Sequence, residues 1–183
     1  MDKREEKTID SVYRALNNLI KSKGYANLKV DDILKEAHIS RSTFYAHFKS
    51  KNDVLSSFCD QLFEHVFAFH QKKEASHDFS KAQTDSRHIM THLAIHIYEE
   101  KELISAILKS TGKSIFTSRF SKLSSTIMES CVFNHELYKE GVPIKLQSLQ
   151  LTDSFVSIIC NWVEMDAIVS PETIVDYFYR LHS

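Results

Sequence analysis

Residues 39–51 read ISRSTFYAHFKSK and predict a short amphipathic helix. Ser40 is a good N-cap, because its hydroxyl can accept a hydrogen bond from a free backbone N–H group of the first turn. The helix is predicted to run from Arg41 to about Phe48. Phe44 and Phe48 share one side of it, since residues four apart lie on the same helix face. The polar residues are then left on the outward side.

A second short helix is predicted immediately before this one. Asp31 and Asp32 lie in its first turn, where the helix dipole favours negative charge, and its apolar positions repeat at helical spacing: Val30, Ile33, Leu34 and Ala37. A turn of three residues, His38 to Ser40, joins the two helices. This pattern predicts a helix-turn-helix motif, which is a DNA-binding structure.

The outward side of the second helix of this motif carries candidate DNA-binding residues. Hydrogen-bonding side chains of short or medium reach suit base edges and phosphates in a major groove, and this side has Arg41, Ser42, Thr43, Tyr45 and His47. Lys49 and Lys51 lie where the next helix begins, so we expect their ammonium groups to meet a phosphate together with that helix's free N–H groups. The alternative is the solvated face of a short helix in an ordinary bundle.

The composition predicts an all-α protein. The 183 residues include only 3 Gly and 2 Pro, too few for the tight turns of a sheet protein. Further helices are predicted at about 9–23, from Val54 into the seventies, at 86–99, 101–110, 114–133 and 144–169, and from Pro171, with a loop at 76–86. We expect residues 1–52 to form a helix-turn-helix DNA-binding domain and 53–183 a helical domain for effector binding and dimerisation.

Charge and targeting features agree with this interpretation. Residues 1–55 contain 11 Lys and Arg against 8 Asp and Glu, whereas the rest of the chain has an acidic excess. Such a distribution is compatible with a nucleic-acid-binding head.

No apolar run approaches a membrane span of about 18 residues, and the N-terminus is charged, so a cytoplasmic protein is expected. The three cysteines form no CxxC pair and fit reduced, buried thiols.

Residues 9–55 resemble the N-terminal domain of the TetR family of bacterial transcriptional regulators. The resemblance rests on Ile39-Ser40-x-x-Thr43-Phe44-Tyr45-x-His47-Phe48-x-x-Lys51-x-x-Val54-Leu55. It implies that Arg41, Ser42, Thr43, Tyr45 and His47 contact DNA, that Lys51 binds a phosphate, and that the start of the preceding helix adds backbone contacts. It also implies a homodimer on an inverted repeat of double-stranded DNA, with a helical C-terminal domain that dimerises and binds an effector.

Two positions depart from the family pattern. Lys29 stands where Ser or Thr usually caps the first helix of the motif; it is a poor cap, but it can reach a phosphate. His38 stands where the turn often has Gly, and it requires a positive φ if the turn is ordinary. Both departures leave the predicted motif in place.

The C-terminal segment FVSIICNWVEMDAIVSPETIVDYF resembles the tail of one TetR subgroup, typified by the regulator of bacterial dihydroxyacetone kinase. The resemblance supports dimerisation through the last two helices. Their apolar faces are wide enough to pack inside the subunit and against a symmetry mate. The residues predicted for the dimer interface are Phe155, Ile159, Trp162, Ile174 and Phe178.

Three histidines, His88, His92 and His96, are spaced four residues apart, as metal-binding pairs on a helix require. They also fit the polar stripe of a half-buried helix, or the lining of an effector cavity. Since no acidic or cysteine residue is recognised here as a further ligand, no metal or cofactor is expected, and the three remain weak metal candidates.

The candidate effector-binding residues are His88, His92, Phe116 and Phe120, although aromatic residues at helical spacing more often form a core.

No Gly-rich phosphate loop, nucleophile elbow or HExxH motif occurs, so an enzyme is not expected. The expected function is a ligand-responsive homodimeric repressor, with an effector or protein partner not identified by the sequence. The alternatives are a co-regulator acting mainly through a protein partner and a metal-sensing repressor.

Overall fold

The computed structural model describes residues 3–68 and 86–183. Within them the chain is helical and contains no strand, as the composition predicts. The helices are α1 (Lys3–Lys23), α2 (Val30–Ala37), α3 (Arg41–His47), α4 (Lys51–Ala68), α5 (Ser86–Glu99), α6 (Lys101–Leu108), α7 (Lys113–Phe133), α8 (Ile144–Glu164) and α9 (Pro171–His182). A 3₁₀ turn, Tyr25–Asn27, follows α1. None of the described helices is long and apolar enough to span a bilayer.

Several predicted helix ends are confirmed. Gly24 follows α1 with φ 76°, a conformation that glycine adopts without strain. Ser170 caps α9 by accepting a hydrogen bond from the N–H of Thr173 at 3.3 Å. Of the predicted loop at 76–86, only Ser86 is described, and it begins α5. The rest of that loop and the extension of α4 into the seventies lie outside the described residues.

The predicted end of α8 near Val169 is wrong, since the helix ends at Glu164. Asp166 and Ala167 adopt left-handed conformations, with φ of 61° and 49°. The N–H of Ala167 donates to the Trp162 carbonyl at 2.8 Å, and the indole N–H of Trp162 donates to the Val169 carbonyl at 3.1 Å. These bonds stop the helix at a site with no glycine or proline to signal it.

The chain folds into two compact units. The N-terminal unit comprises Met1–Asp60 and Glu102–Phe116, and the C-terminal unit comprises Gln61–Lys101 and Thr117–Ser183. In the N-terminal unit α1 packs on α2, and the centre of its core is apolar: Val12, Leu16, Ile33, Phe44, Val54 and Leu55 are all fully buried. This core supports the helix-turn-helix motif.

The C-terminal unit packs α9 on α5 and α8. The rings of Phe155 and Phe178 lie 5.2 Å apart, edge to face. Close by, the Glu136 carboxylate accepts hydrogen bonds from the hydroxyls of Ser86 at 3.0 Å and Tyr179 at 3.2 Å. Burial raises the pKa of the neighbouring Cys131 thiol to about 11. The unit therefore has an apolar core and a partly buried polar cluster around Glu136.

The residues predicted for the dimer interface require correction. Within a single chain all five are at least nine-tenths buried: Phe155, Ile159, Trp162, Ile174 and Phe178. They form the core of their own subunit and are not at its surface. The exposed apolar side chains of α8 and α9 are different ones: Ile144, Leu146, Leu149, Tyr177 and Leu181.

The turn between α6 and α7 lies against the core of the N-terminal unit at Gly112. A Cβ atom at this position would lie 3.0 Å from Leu55 Cδ2 and 3.1 Å from Tyr25 Cδ1. Both neighbouring residues are almost fully buried, so they have little room to move. Glycine is required here by the close approach of the turn to the side chains below it.

We predict that Gly112→Ala destabilises the protein by about 1–3 kcal/mol, because the added methyl group overpacks a filled core. At this chain length each kcal/mol lowers the Tm by roughly 2–4 °C. Thermal unfolding followed by circular dichroism measures the change. Thr111→Ala is the matched control, because this neighbouring side chain is exposed. An equal Tm for Gly112→Ala and the control would contradict the close packing.

Candidate DNA-binding interface

The turn between α2 and α3 has the geometry that a helix-turn-helix motif needs. His38 is left-handed, with φ 53° and ψ 42°, as the ordinary turn requires. The N–H groups of His38 and Ile39 donate to the carbonyls of Lys35 at 3.3 Å and Leu34 at 3.2 Å, which closes α2 in a Schellman motif. Ser40 then caps α3, accepting from the N–H of Thr43 at 3.1 Å.

The rotation of α3 about its axis is set by two aromatic residues. Phe44 and Phe48 are 0% and 4% exposed, and their rings lie 5.7 Å apart. The Phe48 ring also lies 6.2 Å from that of Tyr13 on α1. With this side of α3 buried, Arg41, Ser42 and Tyr45 are exposed to solvent. The predicted division of α3 into an apolar inner side and a polar outer side is present.

Arg41 lies on the exposed side of α3, and its guanidinium contacts the carboxylate of Asp31 on α2. The two side chains are 63% and 60% exposed. Ion pairs this exposed contribute only about 0–1 kcal/mol. A base edge or phosphate therefore competes readily with Asp31 for the guanidinium.

Ser42 and Thr43 belong to the hydrogen-bonded cap of α3. The Ser40 hydroxyl lies 2.8 Å from the hydroxyl of Ser42 and 2.8 Å from that of Thr43. Ser42 is exposed, whereas Thr43 is half-buried. Both hydroxyls lie at the N-terminal end of α3, where recognition helices contact DNA.

Tyr45 and His47 differ in their freedom to contact a ligand. Tyr45 is 51% exposed, with its ring edge-on to Phe44 at 5.3 Å. The His47 side chain is only 20% exposed, and its Nδ1 lies 3.6 Å from a carboxylate oxygen of Glu5 on α1. The His47 ring is therefore directed toward α1, whereas the Tyr45 side chain projects into solvent.

Lys29 precedes α2, and its side chain makes no capping hydrogen bond. Its backbone N–H instead donates to the Asp32 carboxylate at 2.8 Å, and the same carboxylate oxygen accepts from Lys23 Nζ at 2.8 Å. The hydrogen bond from Lys23, followed by that from Lys29, holds the pKa of Asp32 below its usual range. The exposed Lys29 side chain therefore has no capping task that would keep it from a phosphate.

The N-terminus of α4 is capped by its own side chains. The Ser50 hydroxyl accepts from the N–H of Asp53 at 3.2 Å, and the Asp53 carboxylate accepts from the N–H of Lys49 at 2.8 Å. The cap thus engages the N–H of Asp53 in the first turn and the N–H of Lys49 before the helix, and a phosphate contact at this helix start remains a prediction. The Lys49 side chain is exposed beside this cap.

The ammonium group of Lys51 is held by the loop between α1 and α2. It donates to the carbonyls of Leu28 at 2.9 Å, Tyr25 at 3.0 Å and Ala26 at 3.4 Å. It also lies 4.7 Å from the centre of the Tyr25 ring. Since an ammonium has three N–H donors, a phosphate contact by Lys51 would break at least one of these bonds. We therefore infer that the main role of Lys51 is to hold this loop. The phosphate contact predicted for it is secondary to that role.

Tyr25 and Asn52 are residues of this region that the sequence analysis missed. Tyr25 is 1% exposed, and its hydroxyl donates to the Asn52 side-chain carbonyl at 2.6 Å. Burial raises the pKa of Tyr25 to about 12, so the hydroxyl keeps its proton. A lone aromatic residue just after a helix-ending glycine is the available sequence signal. It says nothing of the partner, 27 residues away in sequence.

The candidate effector-binding phenylalanines are core residues, and the candidate metal-binding histidines lie on α5. Phe116 and Phe120 are buried, and Phe120 packs on Phe63 at 5.4 Å. His92 and His96 approach each other, and His88 lies one turn before them, half-buried. Within the described ranges, no three His, Cys, Asp or Glu side chains form a cluster able to bind a metal ion.

Two family patterns match this chain. The pattern of "Bacterial regulatory proteins, tetR family" matches residues 12–58, which include the helix-turn-helix motif. The pattern of a "Transcriptional regulator C-terminal region" matches residues 84–183. The chain belongs to the TetR family of bacterial transcriptional regulators. The two matched regions correspond to the N-terminal helices that include the helix-turn-helix motif and to the helical C-terminal part of the chain.

Individual relatives resemble this chain to different extents. The uncharacterized HTH-type transcriptional regulator YuxN of Bacillus subtilis (strain 168) is 30% identical over 117 residues, or 64% of this chain and 39% of that protein. The HTH-type transcriptional regulator EthR of Mycolicibacterium smegmatis is 42% identical over 52 residues, 28% of this chain and 24% of that one. The chain therefore matches well under half the length of these curated relatives.

A solved structure is similar to this chain in fold. A TetR transcriptional regulator from Streptococcus agalactiae 2603V superposes with a TM-score of 0.70 and 23% identity, covering 100% of this chain and 97% of that one. At this level of identity the likeness concerns the fold alone.

The contacts of Lys51 and Lys49 predict different effects on DNA binding. We expect Lys51→Met to lower stability by about 1–3 kcal/mol, because bonds between an ammonium and three carbonyls are lost. It should also weaken binding to every DNA sequence, with an unchanged salt slope. Lys49→Met should leave the Tm unchanged and reduce the slope of log K against log [salt] by about 1, as a lost phosphate contact does.

Thermal unfolding and fluorescence anisotropy with labelled duplexes at several salt concentrations separate the two roles. A Lys51→Met protein with wild-type Tm and a reduced salt slope would return Lys51 to the phosphate-binding set.

Proposed function

We propose that this TetR-family protein is a ligand-responsive homodimeric repressor that binds an inverted-repeat operator. The observation that carries the proposal is the exposed polar side of α3, set by the burial of Phe44 and Phe48. In this proposal residues 1–52 recognise DNA, and residues 53–183 bind the effector and dimerise. As a DNA-binding regulator it acts in the cytoplasm.

Direct readout of bases is assigned to the exposed end of α3. Arg41 is suited to a guanine, because its planar guanidinium donates two hydrogen bonds to the O6 and N7 acceptors of the major groove. The exposed pair with Asp31 is weak enough to be exchanged for such a contact. Ser42, Thr43 and Tyr45 supply hydroxyls from the same side, and Lys29 and Lys49 supply phosphate contacts at its margins. The half-buried His47 has a smaller role, which is to help position this surface.

The proposed dimer uses the exposed apolar side chains of α8 and α9. Leu146 and Leu149 on α8 are 57% and 51% exposed, and Leu181 on α9 is 71% exposed. Leu146 and Leu181 line a common groove of about 500 Å³ together with Val142 and Gln150. Burial of such side chains against a symmetry mate removes apolar surface from water, and an isologous contact of this kind makes a twofold dimer.

A dimer is needed because one short α3 reads only a few base pairs. Two recognition helices about 34–36 Å apart reach successive major grooves of the same DNA face. An effector that binds more tightly to a different separation of the two heads shifts the population away from the DNA-binding arrangement. The size of the response is limited by this difference in affinity.

We predict that Arg41→Ala relaxes base preference. The loss of a bidentate contact should cost about 1–3 kcal/mol on the preferred sequence and much less on random DNA. Selection of bound duplexes from a random pool, followed by anisotropy on the selected sequence, measures both. Lys35→Ala is the control, because the Lys35 side chain is exposed on α2 and is not proposed to contact DNA. Equal losses on specific and random DNA would remove Arg41 from base readout.

A wild-type protein that retards no duplex at low salt would favour the other candidate, a co-regulator that keeps the fold and acts through a protein partner.

The dimer surface makes a separate prediction. Leu181→Glu should weaken dimerisation, because it places a charge in an apolar contact. Phe133→Glu should not, since Phe133 is 76% exposed on α7, outside the proposed surface. Sedimentation equilibrium over a range of concentrations measures both. If the two variants dimerise equally well, the contact lies elsewhere.

A further inference from the structure

We propose that His92 and His96 on α5 form a binding site for a divalent transition-metal ion of the Ni²⁺ or Cu²⁺ type. The Nε2 atoms of the two rings lie 2.9 Å apart. The rings are 4.6 Å apart between centroids and inclined at 60°. Two imidazole nitrogens one helical turn apart thus converge on one point inside the C-terminal unit.

Glu99 prepares His96 for metal binding. The Nδ1 atom of His96 lies 3.2 Å from a carboxylate oxygen of Glu99. A carboxylate only accepts hydrogen bonds, so Nδ1 carries the proton, and the neutral ring has its lone pair on Nε2. A carboxylate behind a histidine fixes the tautomer and ring orientation in this way in established metal sites, and it raises the basicity of the ligating nitrogen.

His92 must change its tautomer when an ion binds. In the metal-free pair, the neutral His96 accepts a hydrogen bond at Nε2 from the Nε2–H of His92. On binding, the His92 proton moves to Nδ1 and the lone pair of Nε2 becomes a ligand, so a neutral ring neither gains nor loses a proton overall. The ion then lies to one side of the line between the two nitrogens, and the rings rotate so that both lone pairs point to it.

The nitrogen donors of the pair suit Ni²⁺ and Cu²⁺, which lie at the strong end of the series of divalent first-row metals. With metal–nitrogen bonds of about 2.0–2.1 Å, two ligands lie about 2.9 Å apart at a right angle and about 3.4 Å apart at the tetrahedral angle. In the metal-free pair the 2.9 Å between these nitrogens is the length of their hydrogen bond, and rotation of the rings is needed to bring both lone pairs onto a common ion. Right-angled ligand pairs occur in the square-planar and octahedral sites of Ni²⁺ and Cu²⁺, whereas structural Zn²⁺ sites are tetrahedral. Two protein nitrogens leave the other positions to water or a small anion.

The burial of the pair separates this site from adventitious surface histidines. His92 is 4% exposed, and the His96 side chain is 15% exposed. The Glu99 side chain is 51% exposed, and its carboxylate places a negative charge at the edge of the site. This metal site does not depend on the proposed repressor function, because it requires only the contacts within α5.

Titration of the untagged, full-length protein with NiCl₂ in a non-chelating buffer at about pH 8 tests the site, since an ordinary imidazole is neutral there. Isothermal titration calorimetry should give one Ni²⁺ per chain. Glu99→Gln should weaken this binding about 10–100-fold, as loss of an outer-shell partner does. His96→Gln should abolish the one-to-one event.

His135→Asn is the matched control, since His135 is exposed with φ 61° and Asn tolerates that conformation. It should bind Ni²⁺ as the wild type does. Because a buried substitution can impair folding, circular dichroism accompanies each titration, and the largely exposed Glu99→Gln carries the test if His96→Gln fails to fold.

Pulsed electron paramagnetic resonance with Cu²⁺ supplies a direct count of ligands. We expect signals of two imidazole remote nitrogens in the wild type and in His135→Asn. A wild type that binds no Ni²⁺, folded variants that bind as tightly as the wild type, or a spectrum without two imidazoles would each overturn the proposal.

Discussion

The burial of Phe44 and Phe48 is the interaction on which the DNA-binding surface depends. Full burial of an aromatic side chain contributes about 1.5–3 kcal/mol, whereas the exposed Arg41–Asp31 pair contributes about 0–1 kcal/mol. The apolar contacts therefore decide how α3 is rotated, and the polar side chains take the positions that remain. This ranking leaves Arg41 available to DNA, because its contact with Asp31 does not hold the helix in place.

The fold and the recognition helix could be predicted from local patterns. The spacing of Phe44 and Phe48 and the cap at Ser40 concern residues within one or two turns, and the positive φ of His38 was expected from the glycine that the family often has in this turn. Contacts between distant residues had no such signal. The ammonium of Lys51 meets the carbonyls of Tyr25 and Leu28 more than twenty residues earlier, and sequence spacing does not show where a long flexible side chain ends.

The dimer residues show a second limit of sequence patterns. Periodicity identifies apolar positions on α8 and α9 but does not say whether they face the same chain or a second one. Trp162 and Phe178 lie on the apolar faces that periodicity identifies, and they are larger than Leu149. In the folded chain they fill the subunit's own core, and the smaller Leu149 and Leu181 remain exposed. A helix with two apolar faces needs coordinates before either face can be assigned.

The three histidines of α5 illustrate how geometry divides a uniform pattern. Their equal spacing makes them equivalent in sequence, yet only His92 and His96 are joined by a contact between ring nitrogens among their described contacts. The position of Glu99, three residues after His96, adds the carboxylate that the sequence analysis had not recognised as a partner. An outer carboxylate matters because it selects which nitrogen keeps the lone pair. The chemistry of the pair is thus decided by a residue that touches no ion itself.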